Sequence, residues 1–573
     1  MRKKNDNSNS CSRRDLLKSG TSTLGGLAAF PPFGRIMELM LRDLTSKSHA
    51  EEKAGLFYMP IVFYGAPPRW TFDHFLATKE SDLSKVIINP GAGNSLALKN
   101  GAFSESVYST SNYKGVLVPP LWNYVAKTSK GSSKLTELLD HILVFRGYGT
   151  GVDGHLNNSA AQLAPIASLG SLSGIVGDQS ETLFRVIQST TYACTGYNSP
   201  DGHGLTGINY VANQNLITNL LNSFRKNPEN QKLIALRDRH KTYFDQAAET
   251  LKALSKTSLA PQNLLTVDHA KALEKIESSM EDLNTVWSFL FEKYKTILLA
   301  AYKDRSQGIT AQAVIVDSDS ETGKIPWAIM AYPDHIYPQV GTDLRDSVNT
   351  VNVENLAAEF ALAEYVATRG ITSVFEMVLV NGPHDMIVPT SSTIQGGRLA
   401  SVENRVVVHV FDEHSSGSAS SIFYNSLMFR ALSAAILELV QVLKEKNLFQ
   451  KSFIQVVSDF GRLPRNTQAG SDHGFDSMVS SVFTGLNNSK PIVVGNILRD
   501  GSVGQANASY TGTFGQKAST RVNGTNVSLG PASVTSTLAN IMNLNSNPWR
   551  NVAEPLITLK SGQLSVNASE EII

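Results

Sequence analysis

Short apolar runs and stretches of helical periodicity alternate along much of the chain. The run Phe453–Val457 is β-branched and nearly all apolar, which is typical of a strand buried on both faces of a parallel sheet. Comparable runs predict further strands at 56–64, 141–146, 374–380 and 406–411. Periodic apolar positions predict a helix over 355–369 and a long amphipathic helix over about 424–446. Because strands and helices alternate, we expect an α/β fold with a central, mostly parallel sheet flanked by helices.

Two stretches depart from this alternation. From about 211 to 303, Leu, Ile and Ala recur at helical spacing with charges between them, which predicts an inserted region of long antiparallel helices. From about 500 to 529 the chain is rich in Ser, Asn and Gly, which predicts a surface excursion with a small hairpin. Because 573 residues exceed the usual limit of one core, either one elaborated domain or two domains are expected. We assign 51–573 to one large α/β domain that carries both stretches.

Composition excludes several classes of function. The chain has 51 basic and 50 acidic residues, a net charge of +1, so no overall field attracts nucleic acid or an anionic membrane. The only cysteines are Cys11 and Cys194. Since Cys11 falls in a predicted targeting segment, we expect neither an intrachain disulfide nor a cysteine-rich zinc site in the processed protein.

The first 50 residues resemble an export signal and linker. A basic, polar start leads into Ser12-Arg13-Arg14-Asp15-Leu16-Leu17-Lys18 and then into a mildly apolar, Gly-rich segment. This pattern is similar to a twin-arginine signal, which predicts the twin-arginine translocation machinery as a partner and a periplasmic or extracellular location. The alternative is a disordered basic tail with a chance Arg-Arg pair. Later apolar runs are shorter than the ~18 residues that span a bilayer, so we do not expect an integral membrane protein after processing.

Acids and imidazoles follow two of the predicted strands. Asp459 comes just after the 453–457 strand, Asp412 and His414 follow the 406–411 strand, and His473 lies in the loop after Asp459. Ligands of open α/β sheets collect beyond the carboxyl ends of strands, so we expect these four side chains to converge at one rim. Two carboxylates and two imidazoles suit zinc, manganese or iron(II). The alternative is that they cap helices and satisfy loop amides.

A glycine-rich turn follows the 141–146 strand. The segment Gly147–Gly154 contains Thr150 and leads into His155 and a Ser/Ala-rich helical start. A strand, a glycine-rich turn and a helix N-terminus together present backbone N–H groups to an anion. The alternative is an ordinary connection between a strand and a helix.

The order of these features resembles a widespread exported bacterial family, known as domain of unknown function 1501 and related to the alkaline phosphatase and sulfatase superfamily. The similar blocks are the acid–x–His of Asp412-Glu413-His414, the helix after it, Asp459-Phe460-Gly461-Arg462 and Asp472-His473. The resemblance spans the mature chain and is strongest from about 355 to 497.

This resemblance implies an alkaline-phosphatase-like sheet with two metal ions at the strand ends and an early nucleophile. It assigns Asp412, His414 and His473 to one ion and Asp459 to the other. It also implies that Thr150, or a neighbour, stands near the nucleophile position, with His155 close by.

The first strand departs from the superfamily pattern. The superfamily has an acidic ligand just after this strand, whereas here the chain reads Gly65-Ala66-Pro67-Pro68-Arg69 and the first acid is Asp73. Phe460 stands where phosphatases and sulfatases usually have a histidine. Fewer ligands weaken a dinuclear site. Two hypotheses follow: an exported, metal-dependent hydrolase of phosphate or sulfate esters acting on small molecules or polymers, and a catalytically inactive binding or surface protein on the same fold.

Overall fold

The described residues form an α/β structure. The computed structural model describes residues 55–74, 76, 111–180, 182, 184–189, 199–200, 208–210, 286, 288–304, 314–316, 324–326, 351–389, 394–395, 398–399, 404–412, 418–464, 471–474, 476–499, 514–517 and 519–568. All of them belong to one compact unit, which comprises Ala54–Asn219 and Thr285–Ile573. The predicted export segment, both cysteines and most of the predicted helical region at 211–303 lie outside the described residues.

An eight-stranded sheet forms the centre of the unit. In chain order its strands are β1 (Phe57–Phe63), β2 (Ile142–Tyr148), β3 (Phe184–Ser189), β4 (Ile208–Tyr210), β5 (Thr372–Leu379), β6 (Ser452–Ser458), β7 (Met478–Thr484) and β8 (Ile492–Val494). Their order across the sheet is β8-β2-β7-β6-β1-β5-β3-β4. Strand β7 is antiparallel to both of its neighbours, and every other pairing is parallel. The prediction of a mostly parallel sheet is therefore confirmed, and the carboxyl ends of the other seven strands share one rim.

Helices lie on both faces of this sheet. They are α1 (Thr136–Leu139), α2 (His155–Leu163), α3 (Leu172–Asp178), α4 (288–303), α5 (Glu354–Thr368), α6 (Ser418–Glu445) and α7 (Pro531–Ile541). Successive side chains of a strand point to opposite faces. On β1, Tyr58 belongs to the apolar cluster that includes residues of α3 and α7, whereas Phe63 contacts Phe429 of α6 with ring centroids 5.4 Å apart. This two-sided cover explains why β1 and β6 are buried along their whole length.

Two sequence predictions about the last third were wrong in part. The helix predicted to be amphipathic over 424–446 begins at Ser418 and is buried on all sides over most of its length. Its segment Tyr424–Glu445 is long and apolar enough to cross a membrane, but 94% of the apolar window is buried inside the protein. A helix that is apolar all round is stable when neighbouring elements cover every face.

The strand predicted at 406–411 exists as Asn404–Val410, but it lies outside the central sheet. It pairs antiparallel with Asn381–Pro389 in a separate two-stranded ribbon. The apolar pattern could not distinguish these arrangements because it indicates a strand but not the strand with which it pairs.

The unit also contains two-stranded ribbons that are separate from the central sheet. They pair Ser111–Tyr113 with Val116–Val118, Val125–Thr128 with Gly131–Lys134, Val314–Val316 with Lys324–Pro326, Ile394–Gln395 with Arg398–Leu399, Gly461–Pro464 with Ser471–Gly474, Ile497–Arg499 with Phe514–Lys517, Ser519–Val522 with Thr525–Ser528, and Ile557–Lys560 with Gln563–Val566. In the described part of the stretch predicted as a Ser/Asn/Gly-rich excursion, residues 519–528 form a hairpin.

A glutamate is buried within the central sheet. Glu376 of β5 is fully buried and accepts a hydrogen bond of 2.8 Å from Gln188 Nε2 on β3. Burial raises the pKa of this carboxyl to about 7, and its hydrogen bonds to Gln188 and Ser173 only partly oppose the shift. The native protein therefore holds a proton on Glu376 that the unfolded chain releases at lower pH.

This difference predicts a pH-dependent stability. Since the folded pKa is raised, the free energy of unfolding should fall as pH rises from about 4.5 to 7 and then level off, by roughly 3 kcal/mol in total from this group. Glu376→Gln should remove this contribution. Denaturant unfolding at mildly acidic and mildly alkaline pH measures the effect, and Glu137→Gln, at an exposed glutamate, is the control. An unchanged pH dependence in Glu376→Gln would contradict the assignment.

Candidate metal centre

Asp459 stands at the point where β6 ends. It follows Ser458, which pairs with Phe63 at the end of the parallel strand β1. Asp459 is fully buried, and its Oδ2 accepts hydrogen bonds from Gly65 N at 2.9 Å and from His155 Nδ1 at 2.6 Å. Its Oδ1 is buried and has no hydrogen-bond partner among the described residues. The ends of β1 and β6 therefore meet at this rim.

His155 reaches Asp459 from the start of α2. The predicted order of strand, glycine-rich turn and helix is confirmed: β2 ends at Tyr148, and Gly154 is the N-cap with φ of 117°. A left-handed φ of this kind favours glycine because it has no Cβ. The turn directs the imidazole of His155 to the rim, where its Nε2 is buried and lies 3.3 Å from Asp412 Oδ2 without a well-directed hydrogen bond.

His473 is carried by the ribbon that follows β6. Because β7 is antiparallel to β6, the connection between them starts and ends at the same rim. Within it Gly461–Pro464 pairs with Ser471–Gly474, and His473 stands opposite Arg462. The His473 ring stacks on the Phe460 ring, with centroids 4.1 Å apart and planes at 9°. Its Nδ1 lies 2.8 Å from Asp153 Oδ1, and its Nε2 lies 3.6 Å from Asp412 Oδ1.

Asp412 stands between the two imidazoles. It follows the ribbon strand Asn404–Val410, and its side chain is 37% exposed. Its Oδ1 accepts a 2.6 Å hydrogen bond from Arg462 Nη2, so the carboxylate has one oxygen on a buried guanidinium and the other toward His155.

These three side chains form a group that could hold a metal ion. His155, Asp412 and His473 each offer one donor atom, and the donor atoms lie within 4.8 Å of one another. His155 Nε2 lies 3.3 Å from Asp412 Oδ2, close to the separation of about 3.4 Å between donors bound at ~2.1 Å in a tetrahedral site, whereas the 3.6 Å from His473 Nε2 is to the other carboxylate oxygen, Oδ1. Two imidazoles and one carboxylate also form a donor set that zinc, manganese and iron(II) accept.

The hydrogen bonds around the group also fit a metal site. Each imidazole has its Nδ1 on a carboxylate, His155 on Asp459 and His473 on Asp153, which leaves Nε2 directed at Asp412. Carboxylates commonly orient metal-binding histidines in this way. The guanidinium of Arg462 lies on Asp412, and a divalent cation would add positive charge beside the carboxylates of the site.

The structure brings together some of the residues predicted for this site. Asp412, Asp459 and His473 share the rim, but Asp459 holds His155 Nδ1 and is not one of the three converging donors. His155, expected near the nucleophile, supplies a donor instead. The signal for it was a histidine at a helix start beyond a strand end. His414 lies outside the described residues.

Thr150 lies in the turn before α2. Its hydroxyl hydrogen-bonds Asn158 Oδ1 and lies 3.4 Å from both the carbonyl and the amide nitrogen of Val152. These contacts shape the turn.

The two charged residues after β1 form a buried pair below the rim. Arg69 bonds Asp73, Ser458 Oγ and the carbonyl of Val456, and Ser481 donates to Asp73. Arg69 is therefore compensated within the core, and Asp73 is engaged away from the three donors.

Comparisons with known proteins give little further information. No protein-family model matches the chain, and no curated protein matches it. Among solved structures, the chain is similar to a crystal structure of Ps i-CgsB in complex with k-i-k-neocarrahexaose, with a TM-score of 0.27 and 9% sequence identity over 86% of this chain and 73% of that one. A similarity at this level indicates neither the fold nor the function of this chain.

The two acids around His155 change its proton affinity. Partial burial alone would lower its pKa, but the interactions with Asp412 and Asp459 outweigh burial and raise the pKa to about 9. At neutral pH the metal-free site therefore holds an imidazolium between two carboxylates. A metal ion at Nε2 requires the neutral imidazole, so the ion and this proton compete.

This competition predicts proton release on metal binding. At neutral pH each bound Zn²⁺ should release close to one proton from His155, and the apparent affinity should rise about tenfold per pH unit up to about pH 9. Titration calorimetry in buffers with different ionisation enthalpies counts the protons. His155→Asn should abolish the release, whereas His141→Gln, at a buried histidine that bonds the carbonyl of Asn487, should keep it. Zinc binding by the unaltered protein without proton release would contradict the prediction.

Proposed function

We propose that this protein is an exported, metal-dependent hydrolase of phosphate or sulfate esters on an alkaline-phosphatase-like variant of the α/β fold. One observation carries the proposal: two carboxylate-oriented imidazoles and one carboxylate converge at the strand-end rim, within 4.8 Å of one another. The family resemblance of the Asp412, Asp459 and His473 blocks points in the same direction and stays a prediction.

A few residues would bind the metal ion, and others would orient its ligands. His155, Asp412 and His473 would bind a zinc, manganese or iron(II) ion, which would act as a Lewis acid and lower the pKa of a bound water. Asp459 and Asp153 orient the two imidazoles through Nδ1. The Phe460 ring covers one face of His473, limits its rotation and keeps water from that face.

Water is the nucleophile that the geometry favours. The Thr150 hydroxyl is engaged with Asn158 and Val152 in the turn, and no base approaches it among the described contacts. A nucleophilic hydroxyl needs a base or a metal within hydrogen-bond reach. Thr150 is therefore the weaker candidate.

Apolar side chains beside the site support an ester with an apolar organic group. The described residues include six exposed large hydrophobic side chains, and three of them flank site residues in the chain: Val152 precedes Asp153, Leu156 follows His155, and Val410 comes two residues before Asp412. Exposed apolar groups that cluster commonly mark binding surfaces. We propose that they contact the alcohol portion of the ester while the anionic group faces the ion.

The second candidate function is a non-catalytic binding protein. It is favoured by the ion pair between Arg462 and Asp412, which compensates one donor carboxylate without any metal. It is also favoured by the end of β1, where the main chain of Gly65 replaces an acidic ligand.

Hydrolysis assays with matched variants separate the two functions. Protein loaded with Zn²⁺ or Mn²⁺ should hydrolyse p-nitrophenyl phosphate or p-nitrophenyl sulfate. Asp412→Asn and His473→Gln should each lower kcat/KM by about 100-fold or more, since each removes a direct donor. Thr150→Val should stay within about threefold of the unaltered protein if water is the nucleophile.

If neither ester is hydrolysed, the metal content of the purified protein distinguishes the two functions. Stoichiometric metal without turnover of either ester would favour the binding protein. A folded protein that takes up no Zn²⁺, Mn²⁺ or Fe²⁺ would overturn the metal-dependent hydrolase. A large loss of kcat/KM in Thr150→Val with normal metal content would indicate that Thr150, not water, is the nucleophile.

We also propose export by the twin-arginine route. The site is assembled from residues as far apart in sequence as Gly65 and His473, so it exists only after the chain has folded. A route for folded proteins would permit metal loading before export. Replacing Arg13 and Arg14 by lysine should retain the protein in the cytoplasm, as measured by cell fractionation, whereas Lys3→Arg and Lys4→Arg should not. Equal export of both variants would contradict the twin-arginine route.

A further inference from the structure

The turn after β1 contacts Asp459 directly and Asp412 through Arg462. The amide of Gly65 donates to Asp459 Oδ2 at 2.9 Å. The carbonyls of Gly65 and Ala66 accept hydrogen bonds from Arg462, the second at 2.7 Å from Nε. The main chain of this turn thus contacts Asp459 and holds the residue that binds Asp412.

Close packing fixes the turn against the segment that carries Asp412. Gly65 has a φ of +103°, and a Cβ there would lie 2.9 Å from Asp412 N and 3.0 Å from Phe411 Cβ. A side chain at position 65 would clash with the main chain at 411–412, so the turn and the segment that carries Asp412 pack at a fixed separation.

Arg462 transmits this fixed geometry to Asp412. Its side chain is fully buried, and its guanidinium is held by the Gly65 and Ala66 carbonyls, while its own carbonyl accepts a 2.9 Å hydrogen bond from Trp70 Nε1. Main-chain groups therefore set the orientation of the guanidinium independently of Asp412. Its Nη2 binds Asp412 Oδ1 at 2.6 Å, and Asp412 Oδ2 is left toward His155.

We propose that Arg462, seated on the Gly65–Ala66 turn, is the positioning residue of the metal centre and makes Asp412 a donor through a single oxygen. The carboxylate of Asp412 is 37% exposed, and Arg462 holds its Oδ1 at 2.6 Å. The rigid fork of a guanidinium can hold two carbonyls and one carboxylate oxygen together, which a lysine ammonium cannot do in the same geometry. The proposal rests on the metal centre proposed above.

Arg462→Lys tests orientation separately from charge. The variant keeps the positive charge but loses the planar guanidinium with its several N–H donors. If Arg462 acted only through its charge, Co²⁺ affinity and the Co²⁺ spectrum would not change. We expect Co²⁺ affinity to fall about 10-fold, as for other residues that orient metal ligands, and the visible absorption of bound Co²⁺ to change because Asp412 binds differently. Arg430→Lys is the matched control, since Arg430 is also fully buried and donates to two carbonyls, those of Ala301 and Asp304, neither of which belongs to the metal centre.

Thermal unfolding accompanies the titrations, because both variants should lower stability but only Arg462→Lys should alter the Co²⁺ spectrum. If Arg462→Lys does not fold, Trp70→Phe removes the hydrogen bond to the Arg462 carbonyl and should change the spectrum in the same direction, with an affinity loss of up to about fivefold.

The outcomes distinguish this inference from the proposed function. If Arg462→Lys has the same Co²⁺ spectrum and affinity as the unaltered protein, the positioning role is overturned while the metal centre stands. The same holds for Trp70→Phe if that variant replaces Arg462→Lys. An unaltered protein that binds no Co²⁺ would overturn the metal centre and, with it, the role of Arg462. A changed spectrum in Arg462→Lys together with an unchanged one in Arg430→Lys would support the proposal.

Discussion

A carboxylate without solvent exposure must have its charge compensated by nearby donors, and this constraint governs the rim. Asp459 meets it with the amide of Gly65 and the imidazole of His155. Each bond requires a larger structure: the amide requires β1 beside β6, and the imidazole requires α2 to begin next to the end of β6. The same bond then fixes the orientation of the His155 ring, because Nδ1 is engaged and Nε2 is directed at Asp412. The remaining polar contacts of the site follow from that orientation.

Sequence patterns predicted the parts of the fold that local chemistry determines. The apolar run at Phe453–Val457 and the run before Gly65 are strands of the central sheet, because β-branched apolar residues suit strands covered on both faces. Asp459 lies at the end of β6, where the rule that ligands gather at strand ends predicts a site. Asp412 and His473 lie near it, but the rule does not account for Asp412, because the strand before it is outside the sheet. Glycines after β2 correctly indicated a tight turn into the helix that carries His155.

The rest depends on contacts between distant segments, which local patterns do not encode. The strand before Asp412 pairs in a ribbon outside the sheet, and its apolar residues look the same in either environment. Helix α6 is covered on all sides, although its sequence suggested one polar face. Asp459, predicted to bind an ion, hydrogen-bonds Nδ1 of His155, which was predicted to lie near the nucleophile. Hydrogen-bond geometry, not residue type, decides whether a carboxylate binds an ion or orients an imidazole.

The antiparallel course of β7 has a consequence for how this protein tolerates change in length. Arg462 and His473 stand opposite each other only through the register of one short hairpin. Side chains in such a pair alternate between two faces, so deleting or inserting a single residue in either arm would turn one partner away from the rim. Length variation that preserves the site should therefore be confined to the tip of the hairpin, and the arms should behave as a segment of fixed length.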